Sequence, residues 1–176
     1  MNILLISDTH QNIEFVQIMV DTEKNADLVI HLGDDYQDAQ LFIDAGIPLI
    51  RVPGTWTPEY SNPMIDNRRF ETFFGWKLFL THTPTAAPQD LPDDIDPEQV
   101  IRDKQCDIFC HGHTHHPMIS KAKCVTILNP GHLTSPIDRG ARASFARLDV
   151  SNEACTINII DFFTRTIVQE MVLDRP

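Results

Sequence analysis

The amino-acid sequence predicts an α/β fold, and three observations support that prediction. Short apolar runs alternate with helix-like segments over the first 54 residues, with short links between them. This order is typical of a parallel sheet with crossover helices. Later apolar runs follow one another as in an antiparallel meander. Polar residues directly follow several of the runs, so functional groups are expected at one rim of the sheet.

The first half of the chain holds three predicted strands and two predicted helices. Asn12 is suited to cap the first helix, because apolar side chains recur at helical spacing after it. These side chains are Phe15, Val16, Met19 and Val20. The strands are predicted at residues 3–6, 28–30 and 48–52, and the second helix at about 38–45.

The second half of the chain is predicted to consist mainly of strands. They are expected at residues 69–74, 77–80, 107–110, 125–128, 143–150, 155–162 and 166–173. The last four are spaced like an antiparallel meander. Residues 84–97, rich in Pro and Asp, predict a surface loop, and Asp96 is suited to cap a helix that begins at a proline. No linker or repeat divides the chain, so residues 1–176 are expected to form a single domain.

Composition and charge limit the classes of function. The chain has 14 basic and 25 acidic residues and a formal net charge of −11, which argues against a surface that coats nucleic acid. No apolar run approaches the roughly 20 residues needed to cross a bilayer. The four cysteines show no CxxC spacing, which favours a reducing compartment. We expect a cytoplasmic protein without a membrane partner, and the sequence leaves open whether it forms a homo-oligomer.

Six polar residues that follow predicted strands are candidate metal ligands. They are Asp8, His10, Asp34, His82, His113 and His115. Mixed nitrogen and oxygen donors favour Mn, Fe, Zn or Co over Ca or Mg. Six donors exceed the needs of one tetrahedral site, so two ions that share a carboxylate are the natural interpretation.

Each part of this set also has an ordinary structural explanation. An Asp after a strand is often a helix cap or a turn residue, as Asp8 or Asp34 alone would be. His82 alone would most often be a hydrogen-bonded core histidine, and His-x-His near a proline often binds metal only adventitiously. The remaining histidines, His31, His111, His116 and His132, are best explained as structural. The conjunction of the six residues, each at a strand end, favours the metal site.

The motif series resembles that of the calcineurin-like metallophosphoesterases. It comprises Asp8-x-His10, Gly33-Asp34, Gly54, His82 and Gly112-His113-Thr114-His115, with Asn129-Pro130-Gly131 as in small bacterial and archaeal members. The resemblance implies a four-layer α-β-β-α sandwich of two mixed β-sheets flanked by helices. It also implies a dinuclear site, for which we favour Mn. Asp8, His10 and His115 would hold one ion, His82 and His113 the other, and Asp34 would bridge them.

The resemblance further implies the hydrolysis of a small phosphorylated substrate. A metal-bridging hydroxide would attack phosphorus in line, and the two ions would neutralise charge on the phosphoryl oxygens. Asp34 and His82 are the residues expected to take part most directly in catalysis. Phosphodiesters are favoured over monoesters by the family's small members.

One segment departs from the family pattern. After Gly54 the family has a ligating asparagine and, in many members, a proton-donating histidine, whereas this chain has Thr55 and Trp56. We therefore expect that the second ion either binds more weakly or is completed by water, Thr55 or Glu59. A solvated loop glutamate is the simpler explanation of Glu59. The departure also raises a rival hypothesis: a scaffold or binding module, as in the retromer subunit that resembles these enzymes.

Overall fold

Six strands form the first sheet in the computed structural model, which describes residues 1–35 and 37–175. They are β1 (Asn2–Ile6), β2 (Leu28–His31), β3 (Leu49–Arg51), β11 (Ser144–Val150), β12 (Ala154–Asp161) and β13 (Ile167–Asp174). Their order is β13-β12-β11-β1-β2-β3. The parallel pairing of β1, β2 and β3 confirms the prediction from the strand–helix alternation. The antiparallel meander β11-β12-β13 is also confirmed, and β11 joins it to β1.

Five strands form the second sheet: β4 (Arg68–Phe73), β5 (Trp76–Thr81), β6 (Ile108–Cys110), β7 (Met118–Ala122) and β8 (Val125–Asn129). Their order in the sheet is β4-β5-β6-β8-β7. The pairs β5–β6 and β6–β8 are parallel, whereas β4–β5 and β7–β8 are antiparallel hairpins. Both sheets are therefore mixed, as predicted. Two short strands, β9 (Ile137–Asp138) and β10 (Ala141–Arg142), form a separate hairpin.

The prediction that residues 125–128 begin the antiparallel meander is wrong. This segment lies in β8, which runs parallel to β6 in the second sheet. The strand β7, which was not predicted, pairs with its other edge. A fully buried apolar run such as β8 fits either kind of sheet, and β7 is a half-exposed edge strand without a clean apolar alternation.

The two sheets pack face to face, and the helices cover their outer faces. Alternate residues of β1 and β2, such as Leu5 and Ile30, pack against Leu80 and Cys110 of the second sheet. The intervening residues face α1 (Ile13–Thr22) and α2 (Gln40–Asp44). On the other side, β5, β6 and β8 pack against α3 (Pro97–Arg102). This arrangement confirms the predicted four-layer sandwich, whereas the single domain over residues 1–176 stays a prediction.

The helices agree with the expected caps and buried faces. The Asn12 side chain accepts a hydrogen bond from the backbone N–H of Phe15 at 3.2 Å, and the four predicted apolar positions of α1 are buried. The Asp96 side chain caps α3 in the same way, through the backbone N–H of Glu98 at 2.9 Å. Within the described ranges, no helix is both long and apolar enough to span a membrane.

A buried ion pair fixes the Pro- and Asp-rich loop of residues 84–97. The guanidinium of Arg68 on β4 has a side chain only 1% exposed and donates from Nη2 to both carboxylate oxygens of Asp90 at 2.8 Å. The Tyr60 hydroxyl of the 3₁₀ helix Pro58–Ser61 donates to the same carboxylate at 2.5 Å. Although burial raises the pKa of Asp90, these hydrogen bonds outweigh it and lower the pKa. The loop is therefore held against β4 and the segment that follows Gly54.

We expect Asp90→Ala to lower the free energy of unfolding by about 3–5 kcal/mol, because it leaves the buried Arg68 cation unpaired. Urea unfolding followed by circular dichroism measures the change. Glu71→Ala is the matched control, since it removes the carboxylate of the more exposed pair with Arg69, and it should cost less than about 1 kcal/mol.

The difference in the free energy of unfolding between wild type and Asp90→Ala should also depend on pH. Because the pKa of Asp90 is lower in the folded protein, its stabilising contribution is complete above the ordinary value of 3.8 and is lost as the pH falls through the folded pKa. A difference that stays constant from pH 7 down to the acid transition would contradict this account.

Candidate metal centre

The six predicted ligands lie in two groups at one rim of the sandwich. The first metal group consists of Asp8, His10 and His115, and the second of Asp34, His82 and His113. Within each group the candidate ligand atoms all lie within 4.8 Å of one another. The residues come from loops after β1, β2, β5 and β6, which all end at this rim. The structure thus brings together all six of the principal candidate ligands.

The backbone turns sharply at most of these residues. Five of the six adopt a left-handed conformation with φ between 43° and 66°: Asp8, His10, Asp34, His113 and His115. For residues with a Cβ, this conformation costs on the order of 1–2 kcal/mol each. Such strain concentrates at functional sites, where it directs side chains that a regular strand end would point elsewhere.

Two glycines allow the loops to approach each other closely. A Cβ atom on Gly54 would lie 1.7 Å from Oδ1 of Asp34, and one on Gly112 would lie 1.9 Å from Oγ of Ser7. No side chain fits at either position without displacing the rim. These contacts explain physically why both motifs contain glycine.

In the first metal group, a carboxylate outside the group fixes the orientation of His115. Nδ1 of His115 lies 2.5 Å from Oδ2 of Asp138 on β9, so Nδ1 carries the proton and donates it. The other ring nitrogen, Nε2, faces Oδ1 of Asp8 at 3.1 Å and Nε2 of His10 at 3.3 Å. A carboxylate behind a histidine is the usual support for a metal-binding imidazole.

In the second metal group, a backbone carbonyl has the same role for His82. Nδ1 of His82 lies 2.8 Å from the carbonyl oxygen of Leu32 and must donate to it. Nε2 then faces Oδ2 of Asp34 and Nδ1 of His113, each at 3.2 Å. His82 is fully buried, so this contact is shielded from water.

These contacts fit a bound cation. With Nδ1 protonated on His82 and His115, each neutral ring points its Nε2 lone pair at a carboxylate oxygen, a repulsive contact unless a cation lies between. Without metal, a proton on Nε2 removes the repulsion. Burial lowers the pKa of His82 and His115, but the neighbouring carboxylates have the larger effect, so both pKa values are raised. Burial likewise raises the pKa of Asp8, yet the His115 hydrogen bond and nearby histidines lower it to about 2.

The buried Asp34 oxygen Oδ1 also fits a cation. It has no hydrogen-bond partner among the described residues. An unsatisfied buried carboxylate oxygen is costly, and a metal ion would satisfy it. The donor chemistry and the geometry together show that these residues could hold divalent metal.

Asp34 connects the two metal groups. Its Oδ2 atom lies 3.2 Å from Nε2 of His82 in its own group and 3.8 Å from Nε2 of His10 in the other.

A family model described as the calcineurin-like phosphoesterase superfamily domain matches residues 1–153. The chain belongs to the calcineurin-like phosphoesterase superfamily. This family binds divalent metals, in agreement with the two groups.

Several known proteins are similar to this chain in sequence or in fold. A probable metallophosphoesterase of Methanocaldococcus jannaschii is 28% identical over 136 residues, 75% of this chain and 68% of the relative. A structure of an archaeal phosphodiesterase has a TM-score of 0.63 at 22% identity, covering 98% of this chain and 100% of that one. Wild-type Vps29 of Entamoeba histolytica, solved with Zn²⁺, has a TM-score of 0.71 at 19% identity and 99% coverage of both chains.

The structural explanation of the other histidines is confirmed for three of them. His31, His111 and His132 are buried, and His116 is exposed. Nδ1 of His31 accepts a hydrogen bond from the backbone N–H of Gly33 at 3.1 Å, and burial lowers its pKa to about 4. This neutral ring lies beneath the loop that carries Asp34.

The two suggested substitute ligands lie in different surroundings. Glu59 belongs to neither metal group, and its carboxylate accepts a hydrogen bond from the side chain of Gln37. Thr55 is buried next to Gly54 and lines the same cavity as His113 of the second group. The placement favours Thr55 over Glu59, and both roles stay predictions.

The residues that support the ligands were not predicted from the sequence. Asp138 lies 23 positions after His115, in the sequence Asp138-Arg139-Gly140, which resembles an ordinary turn. Arg139 also reaches the rim, where its Nη1 donates to the carbonyl of His113 at 2.7 Å. Only the long-range fold of the β9–β10 hairpin brings these residues to the rim, so no local pattern could have identified them.

We expect Asp138→Ala to weaken metal binding at the first metal group about 10- to 100-fold, because His115 loses the partner that fixes its tautomer and orientation. Competition titration with a metal-binding dye measures the affinity. The control, Asp21→Ala, removes an exposed carboxylate on α1 and should leave the metal affinity unchanged. Equal affinities for wild type and Asp138→Ala would show that Asp138 does not support a ligand.

Proposed function

We propose that the protein is a metal-dependent phosphoesterase that hydrolyses phosphodiesters of small phosphorylated substrates at a dinuclear centre. Asp34 carries the proposal, because its Oδ2 atom lies between His82 of one metal group and His10 of the other. A carboxylate shared by both ions would let six residues serve two ions as one centre. Membership of the superfamily supports the reaction class.

The residues divide naturally between two ions. Asp8, His10 and His115 would hold the first, His82 and His113 the second, and Asp34 would bind both. Imidazole and carboxylate donors favour Mn, Fe, Zn or Co, and we favour Mn. When bound, the ions would supply a water-derived nucleophile near neutral pH and neutralise charge on the phosphoryl oxygens.

The protein itself keeps one side of the centre open. The His10 side chain is 35% exposed, whereas Asp8, His82 and His115 are buried. A substrate phosphate therefore approaches from the side of His10 and His113. Arg139, half exposed and bonded to the His113 carbonyl, adds positive charge there in a chain whose net charge is −11. Its charge favours an anionic substrate.

The retained ligands favour an enzyme over the rival scaffold. A scaffold has no need for five strained backbone positions or for supported imidazoles, and this chain has both. The departures at Thr55 and Trp56 favour the scaffold. Metal content alone does not separate the hypotheses, since a fold neighbour named Vps29 was solved with Zn²⁺. Turnover of a phosphodiester does separate them.

We expect Asp34→Asn to lower phosphodiesterase activity on the order of a hundredfold or more, and to lower total metal content. A neutral amide of the same size cannot offset two dications. Elemental analysis and turnover of an activated aryl phosphodiester measure both effects. Asp44→Asn, an exposed carboxylate on α2, is the control and should change neither. Near-wild-type turnover of Asp34→Asn would disprove the dinuclear assignment.

We expect Thr55→Asn to raise occupancy of the second metal group and to increase activity at limiting metal. An amide oxygen reaches one bond further than a threonine hydroxyl and is the better donor to a dication. Metal titration followed by turnover measures the change. Glu59→Ala tests the alternative: it should do little if Glu59 only contacts Gln37, and should empty the second group if Glu59 is a ligand. If neither variant has an effect, the segment does not contribute to the site.

A further inference from the structure

A cavity of ≈ 350 Å³ adjoins the second metal group. Its lining runs from the segment after Gly54 to the loop after β5 and includes His113. A cavity of this volume is within the range of small-molecule sites. Because His113 belongs to the metal group, a substrate with its phosphate at the centre has an adjacent space for one of its ester groups.

The chemistry of the lining selects an uncharged group. Apolar residues form one wall, namely Pro84, Ala86, Ala87 and Pro88, and Thr and Gln side chains supply neutral polar atoms. Among the described lining residues none is Lys, Arg, Asp or Glu. A second phosphate or an ammonium group would therefore meet no partner there.

Trp56 contributes a large aromatic surface to the lining. Its side chain lines the cavity and is 78% exposed. Covering such an exposed ring with a flat group removes apolar surface from water, which is favourable in free energy. Indole faces also stack well on aromatic groups. Trp56 therefore favours a flat aromatic occupant over an aliphatic one.

The wall formed by the loop after β5 is held in place before any ligand binds. Nη2 of Arg68 donates to Oγ1 of Thr83 at 3.2 Å, and Asp90 accepts from the backbone N–H of Ala87 at 2.9 Å. Both contacts extend from the buried Arg68–Asp90 pair. A preformed cavity reduces the ordering that binding requires.

The cavity contains no dedicated proton donor for a leaving group. Among its described lining residues the one histidine is His113, which belongs to the second metal group. An ester group that takes no proton from the cavity lining departs as an anion. In hydrolysis the water oxygen bonds to phosphorus, the bond from phosphorus to the ester oxygen breaks, and the water proton goes to solvent. Aryloxides are stable enough to leave in this way.

We propose that this cavity binds a flat aromatic leaving group of the phosphoester substrate and that Trp56 stacks on it. The proposal rests on the proposed phosphodiesterase function and makes Trp56 a specificity residue. Two sources share this chemistry, an aryl ester and a nucleobase carried on a nucleoside ester. The missing proton donor favours the aryl ester.

The test compares methyl phosphodiesters with three other ester groups: phenyl, adenosine, and a fluorinated alkyl group of the same leaving-group pKa as phenol. Trp56→Ala should lower kcat/KM about tenfold for the phenyl diester and leave the fluoroalkyl diester unchanged. Trp56→Phe keeps a ring and should retain most of the activity. Met64→Ala, which removes an exposed apolar side chain outside the cavity, is the control. Equal effects of Trp56→Ala on the phenyl and fluoroalkyl diesters would overturn the proposal.

The adenosine arm identifies the source of the aromatic group. A Trp56 effect on the phenyl diester alone assigns an aryl ester, and an effect on both assigns any flat ring. An effect on the adenosine diester alone assigns a nucleobase. If Trp56→Ala lowers kcat/KM for neither the phenyl diester nor the adenosine diester, the proposal is overturned.

A binding measurement separates this proposal from the proposed function. Phenylphosphonate, which cannot be hydrolysed, should quench tryptophan fluorescence of the wild type but not of Trp56→Phe, and methylphosphonate should quench neither. Quenching without turnover of any diester would leave the aromatic site intact and reject the enzyme. Turnover of all diesters without quenching, and without a Trp56 effect, would reject the site and leave the enzyme.

Discussion

The contact between imidazole nitrogens and carboxylate oxygens at the rim is the interaction on which the site depends. His82 and His115 are each forced to protonate Nδ1 by a partner behind the ring, Leu32 in one case and Asp138 in the other. Their Nε2 atoms therefore confront carboxylates at 3.1–3.2 Å. Two such contacts in buried surroundings are stable only with positive charge between the partners. Divalent cations supply that charge and bind the Nε2 lone pairs, whereas a proton on Nε2 would prevent the nitrogen from binding metal.

Much of the surrounding structure serves this crowded arrangement. Left-handed turns direct the ligands to the rim, and Gly54 and Gly112 let the loops approach within distances that no Cβ would allow. The local strain is offset by the two sheets, whose apolar faces pack on each other and on the helices. A rigid frame of this kind holds ligands in place better than loops alone. Asp34, which reaches both metal groups, has the most demanding position.

The six candidate ligands could be identified from the sequence because their signals are local. Asp8-x-His10 and His113-x-His115 each lie within one loop, and each follows a strand with an apolar run. The helix α1 was also predicted from local signals, because its capping residue and the helical spacing of its apolar residues agree. By contrast, the pairing of β8, the support of His115 by Asp138 and the Arg68–Asp90 pair join segments far apart in the chain. Partners of that kind leave no periodic or motif signal, so only the folded structure identifies them.

The claim that Asp34 joins two ions into one centre is tested most directly by crystals of the protein grown with Mn²⁺ and measured near the manganese absorption edge. We expect two anomalous peaks about 3.5–4 Å apart, one in each metal group, with Asp34 in contact with both. A single peak at saturating Mn²⁺, or two peaks of which Asp34 contacts only one, would contradict it.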